Sequence, residues 1–126
     1  MTDQLQISQH LATRELFELF KQQLKKDFSE CGCESDFVDQ LPQDFNEIKR
    51  VLAFEIKQNE KRSTFNLQQL LYRIDINEKR LSKELKTQAK EDYLMVISEL
   101  IIKRILQKIV IRKYYSNNDD QKRLEE

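Results

Sequence analysis

Apolar positions crowd most densely between residues 92 and 115, DYLMVISELIIKRILQKIVIRKYY, a stretch with no Gly or Pro to break it. As a helix rising about 1.5 Å per residue it would span roughly 36 Å. Its apolar side chains, projected at about 100° per residue, cover well over half the circumference, the pattern of a helix with neighbours on several sides. The stretch is therefore expected to form the core helix. The apolar direction is not constant along it. Leu94, Ile97 and Ile101 share the direction that Arg104, Lys108 and Arg112 take further on, while Ile102, Leu106, Ile109 and Val110 point elsewhere. One face is expected to leave the core and become basic.

The preceding chain reads as amphipathic helices that supply the cover. Phe17, Phe20, Leu24 and Phe28 recur at spacings of 3, 4 and 4 and so share a face. They define a first helix from about Asp3 to Cys31, with a break placed near Ser8 and with His10 and Thr13 extending the same face upstream. Gly32 is the expected left-handed stop. Ser35 to Leu41 allows one short helical turn, which Pro42 keeps from running into the next helix.

Asp44 with Glu47 has the spacing of a capping box and starts a second helix, whose stripe is Phe45, Ile48, Leu52 and Ile56 with Val51 beside it. KQNEKR, residues 57–62, reads as a solvated end. Asn66 as cap, with Phe65 and Leu70 as a hydrophobic staple, begins a third helix whose Leu67, Leu70, Leu71 and Ile74 face inward. The chain is expected to turn at Asp75 or Asn77 into a short, very polar helix held by Leu81 and Leu85, with Asn77 as its cap and Ile76 and Leu81 as a second staple. These elements predict an all-α, single-domain bundle of four or five helices, residues 1–115, around the long C-terminal helix. Residues 116–126, SNNDDQKRLEE, are expected to be a polar, disordered tail.

Composition strengthens the helical reading. One Gly and one Pro in 126 residues leave few residues for the hairpin turns of an all-β fold. The 22 basic and 22 acidic side chains cancel, so net charge favours neither a nucleic acid nor an acidic ligand. Residues 1–62 hold 9 basic and 12 acidic groups against 13 and 10 in residues 63–126, a weak asymmetry. The N-terminus lacks the charge and apolar block of a secretory signal, and Lys103, Arg104, Lys108 and Arg112 interrupt the one candidate membrane span. A cytoplasmic protein is expected, with no membrane partner.

Candidate chemistry is sparse. Cys31-Gly32-Cys33 would offer two thiolates to a metal or a redox pair, but two Cys and one His fall short of a four-ligand structural set, so a helix end with two reduced thiols is preferred. His10, the single histidine, has no Ser, Cys or carboxylate partner by spacing and receives no catalytic role. The absence of Glu-x-x-His removes a di-iron bundle, and no phosphate loop, G-x-S-x-G or H-E-x-x-H occurs. No cofactor, metal or catalytic residue is assigned, and a non-enzymatic role is favoured.

Two cationic patterns remain. Residues 66–86 have the length of a helix-turn-helix that would aim Glu78, Lys79, Arg80, Lys83 and Lys86 at DNA, though the turn lacks Gly and Glu84 sits among the cations. An ordinary helical hairpin is the default. Between Leu100 and Tyr115 there are five basic residues and no acidic one. Arg104, Lys108, Arg112, Lys113 and Tyr115 are accordingly the candidate partner-binding face, set against the ordinary preference of cations for a helix C-terminus. The sequence thus favours a non-enzymatic helical interaction or structural module that self-associates, because so apolar a helix would need more cover than its own chain provides. The alternative is a nucleic-acid-binding accessory protein using the basic face.

Overall fold

The computed structural model describes the backbone of residues 2–125 and the side chains of residues 6–113. Six α-helices succeed one another: α1 (Thr2–Ala12), α2 (Arg14–Glu30), α3 (Phe45–Asn59), α4 (Leu67–Ile74), α5 (Glu78–Thr87) and α6 (Tyr93–Glu125), with a 3₁₀ turn at Asp36–Gln40. The molecule is an all-α bundle, and α6 packs against each of the other five helices, most extensively against α3 and α2.

Local chemistry sets most of the helix ends. The α2 helix closes with Gly32 at φ +77°, and the backbone N–H groups of Gly32 and Cys33 donate to the carbonyls of Ser29 and Phe28. This paired closure satisfies carbonyls that the helix end would otherwise leave open. Asp44 accepts from the Glu47 N–H at 3.0 Å, and Asn66 from Gln69 at 3.2 Å. Asn77 accepts from Lys79 at 2.8 Å, and Asp92 from Leu94 at 2.8 Å. Each is a side-chain cap of the kind that contributes about 1 kcal/mol. The α4 helix stops where Asp75 turns left-handed at φ +68°.

The expected first helix is two helices. The break falls at Thr13, whose backbone is extended at φ −77°, ψ 117°, and not near Ser8. The break resets the helical phase, so among the described side chains of α1 the buried residues are Ile7 and Leu11, whereas Thr13 is exposed and His10 half-buried. Phe17, Phe20, Leu24 and Phe28 of α2 are all buried, as their spacing implies. A second departure lies in residues 57–62. Asn59 is buried, its Nδ2 donating to the Glu55 carbonyl at 2.8 Å and its Oδ1 accepting from the Glu34 backbone at 3.3 Å.

The core gathers the α2 phenylalanines, the α3 stripe of Phe45, Ile48, Leu52 and Ile56, and Leu70 and Ile74 of α4 around α6. On α6, Leu94, Ile97, Ile101, Ile102, Ile105 and Ile109 are buried in it. Each such side chain contributes about 1.5–3 kcal/mol relative to exposure. Val96 and Leu100 of α6 are buried as well, so among the described residues Ile111 is the one large aliphatic side chain of this helix left exposed. No helix among the described residues is long and apolar enough to cross a membrane. The expected tail, residues 116–126, falls outside the described side chains.

Candidate functional site

The basic row of α6 does not stand free. Arg104 donates from Nη2 to the Asp75 carboxylate at 2.8 Å, from Nε to the Asp75 carbonyl at 3.2 Å and from Nη1 to Gln107 at 2.9 Å. Arg112 donates to Gln23 of α2 at 3.2 Å, and Lys113 pairs with Glu15 of α2 at 2.6 Å. Lys108 is half-buried between them, and among the described residues it has no ion-pair or hydrogen-bond partner. Burial, then Arg104 and Arg112, lower its pKa against the opposing pull of Asp27 and Asp75. The Tyr115 side chain lies outside the described residues. Arg104, Arg112 and Lys113 thus form a solvent-exposed seam that laces α6 to α2 and to the α4–α5 turn.

The seam continues through two residues that the apolar pattern did not single out. Asp27 of α2 is buried at 4% exposure and accepts from Gln23 Nε2 at 3.0 Å and from Arg73 Nε of α4 at 3.0 Å; Arg73 also pairs with Glu30. Three residues from Leu24 and next to Phe28, Asp27 lies on the apolar stripe of its helix. A carboxylate on such a stripe implies a buried cation partner, a signal that the spacing of residues 24, 27 and 28 carries by itself.

Beside the seam, a groove of about 670 Å³ runs along α6. Val110 and Ile111, with the little of Leu100 and Leu106 that is not buried, form its apolar floor, and Lys103, Arg104 and Gln107 lie between them. The α1 helix supplies one wall with Gln6, Ile7 and His10, and the α4–α5 turn supplies the other with Asp75, Ile76, Asn77 and Arg80. Turn chemistry sets this second wall: the left-handed Asp75 redirects the chain, and the Asn77 cap starts α5 so that Arg80 falls one turn later at the groove edge. Arg80, Lys103 and Arg104 face a single lining carboxylate, Asp75, so the groove is cationic. Lys103 Nζ is 3.8 Å from the buried Glu99, a long contact.

A second cavity, about 480 Å³, lies between α2 and α6 near Leu19, Gln22, Lys26 and Ile109, and the Lys113–Glu15 pair lies in its lining.

The other candidates are not brought together. His10 reaches the groove, but its imidazole makes no hydrogen bond or ion pair among the described residues, so no base–nucleophile pair forms there. Cys31 and Cys33 are buried and reduced. Burial pushes the Cys31 thiol up; burial and then Cys31 push Cys33 up to about 12. Among the described residues no three His, Cys, Asp or Glu side chains group to hold a metal ion. Glu78, Lys79, Arg80, Lys83 and Lys86 of α5 are all exposed. Comparison with protein-family models, with curated proteins and with solved structures found no match.

Proposed function

We propose that the protein is a non-enzymatic helical interaction module, and that its groove docks an acidic amphipathic helix of a protein partner. The single supporting observation is the composition of the groove, an apolar floor beside three cations and one carboxylate. From Leu100 to Ile111 the floor runs along about three turns of α6. A helix laid in a groove presents apolar anchors at i, i+3, i+4 and i+7, and its charged flank meets whatever charge borders the floor. Here that border is Arg80, Lys103 and Arg104, so the complementary flank is acidic.

The proposal differs from self-association driven by an uncovered core helix, because among the described residues Ile111 is the one large aliphatic side chain of α6 left exposed. It also differs from recognition of nucleic acid by the α6 row, since Lys113 already holds Glu15 and Arg112 holds Gln23.

The test is selection of displayed helical peptides on the wild-type protein, with counter-selection on an Arg80→Glu/Lys103→Glu variant. Enrichment of acidic amphipathic sequences that lose at least about tenfold in affinity on the variant supports the proposal. Peptides that are not acidic, or that bind both proteins equally, overturn it. So does a concentration-dependent dimer in light scattering that the same two substitutions abolish, because the groove's occupant is then a second copy. A salt-sensitive gel shift with RNA or DNA, lost on the same variant, likewise assigns the cations to phosphate.

A further inference from the structure

We propose that Asp75 is a resident stand-in for a partner carboxylate: it occupies Arg104 in the free protein and gives way when an acidic segment enters the groove. This rests on the docking role proposed above and adds how the groove is read.

Arg104 is held on three sides. Its Nε and Nη2 face the carbonyl and carboxylate of one residue, Asp75, at 3.2 and 2.8 Å, and its Nη1 is fixed by Gln107 at 2.9 Å. Two oxygens along one guanidinium edge reproduce the fork that an incoming carboxylate would present. The guanidinium is thereby oriented beside the groove in advance of any partner, so little of its rotamer freedom remains to be lost on binding.

The two partners are unequally committed. The Arg104 side chain is 29% exposed and the Asp75 side chain 74%. Asp75 stands on the solvent side of the pair and can return to water at small cost, as exposed ion pairs contribute little. Arg104 stays at the groove. Beside it, Lys103 and Arg80 line the same groove without an equally short ion pair, leaving charge for further acidic side chains of the same segment.

The turn does not need this carboxylate. At φ +68° Asp75 sits in a region where Gly and Asn are at least as comfortable. The carboxyl is also held below the usual carboxylate range by its hydrogen bond and charge pairing with Arg104, so it remains ionised across the neutral range and competes throughout it.

The experiment measures, by fluorescence anisotropy, binding of one acidic amphipathic helical peptide from the selection above. The proteins are the wild type, Asp75→Asn, Arg104→Gln and the double variant. Asn keeps the left-handed turn while removing the charge; Asp75→Gly provides a second test of the same removal. The expected result is that Asp75→Asn binds about two- to fivefold more tightly, and that this gain disappears in the Arg104→Gln background. Equal or weaker binding by both Asp75→Asn and Asp75→Gly makes Asp75 a tether for the turn and overturns the inference while docking stands. If neither the wild type nor the Asp75 variants bind the peptide, the docking role falls and the inference falls with it.

Discussion

Gly32 answers to two constraints that arise from opposite sides of the residue. Its φ of +77° closes α2, and a Cβ built on it would lie 2.4 Å from the carbonyl oxygen of Thr64, backbone that cannot rotate away. The Thr64 hydroxyl in turn donates to the Gly32 carbonyl at 3.3 Å, so a side-chain hydrogen bond holds the two segments together at this close main-chain approach. Gly32→Ala is expected to destabilise the protein by at least about 2 kcal/mol in urea unfolding, from the left-handed backbone and the contact together. A loss below about 0.5 kcal/mol would mean that residues 32 and 64 part easily. The helix stop was legible in the sequence because a lone Gly after an apolar stripe has few other uses; the contact with Thr64 was not, since nothing local links the two positions. Asp44, Asn66 and Asn77 were legible for the same local reason, each cap accepting from an N–H two or three residues ahead.

At the scale of the helix, periodicity states which residues share a face but not what stands opposite that face. The row of Arg104, Lys108 and Arg112 was visible as a row, yet Asp75 and Gln23, which hold its two arginines, lie 29 and 89 residues away in the chain. A cationic stripe that faces an anionic neighbour has the same sequence pattern as one that faces water. The Arg73–Asp27 pair shows the energetic consequence, because Asp27 is buried and Gln23 cannot neutralise it. Arg73→Ala should cost about 2–3 kcal/mol, less than a fully enclosed pair because Arg73 is one-third exposed. Replacing both partners, Asp27→Leu with Arg73→Met, should recover much of that loss in the same urea titration. If the double change is as damaging as the single one, the pair contributes through its geometry rather than by avoiding a stranded charge.

For the whole molecule, the bundle and the central position of α6 derive from its apolar pattern, whereas the groove arises from three elements meeting and has no signature in any one of them. The buried thiols make the fold sensitive to alkali. Cys33 is pushed from 9.0 to about 12, mainly by burial. Above pH 9 the unfolded chain sheds this proton while the folded chain keeps it, so the unfolded state binds fewer protons and stability falls as pH rises. Lys108 acts in the other direction, its lowered pKa making stability rise with pH below 10.5. Comparison with Cys33→Ala isolates the thiol. Between pH 8 and 10 the wild type should lose about 1 kcal/mol more than that variant in urea unfolding; parallel curves would show that Cys33 ionises freely in the fold.

Helix α5 contains no buried residue and is anchored by the half-buried Leu81 and Leu85. It therefore belongs to the low end of the molecule's range of local opening free energies, well below that of α6. Since Arg80 stands in its first turn and lines the groove, local opening of α5 would carry that cation away from the groove. A segment docked in the groove against Arg80 would in turn add protection of α5 from exchange and proteolysis.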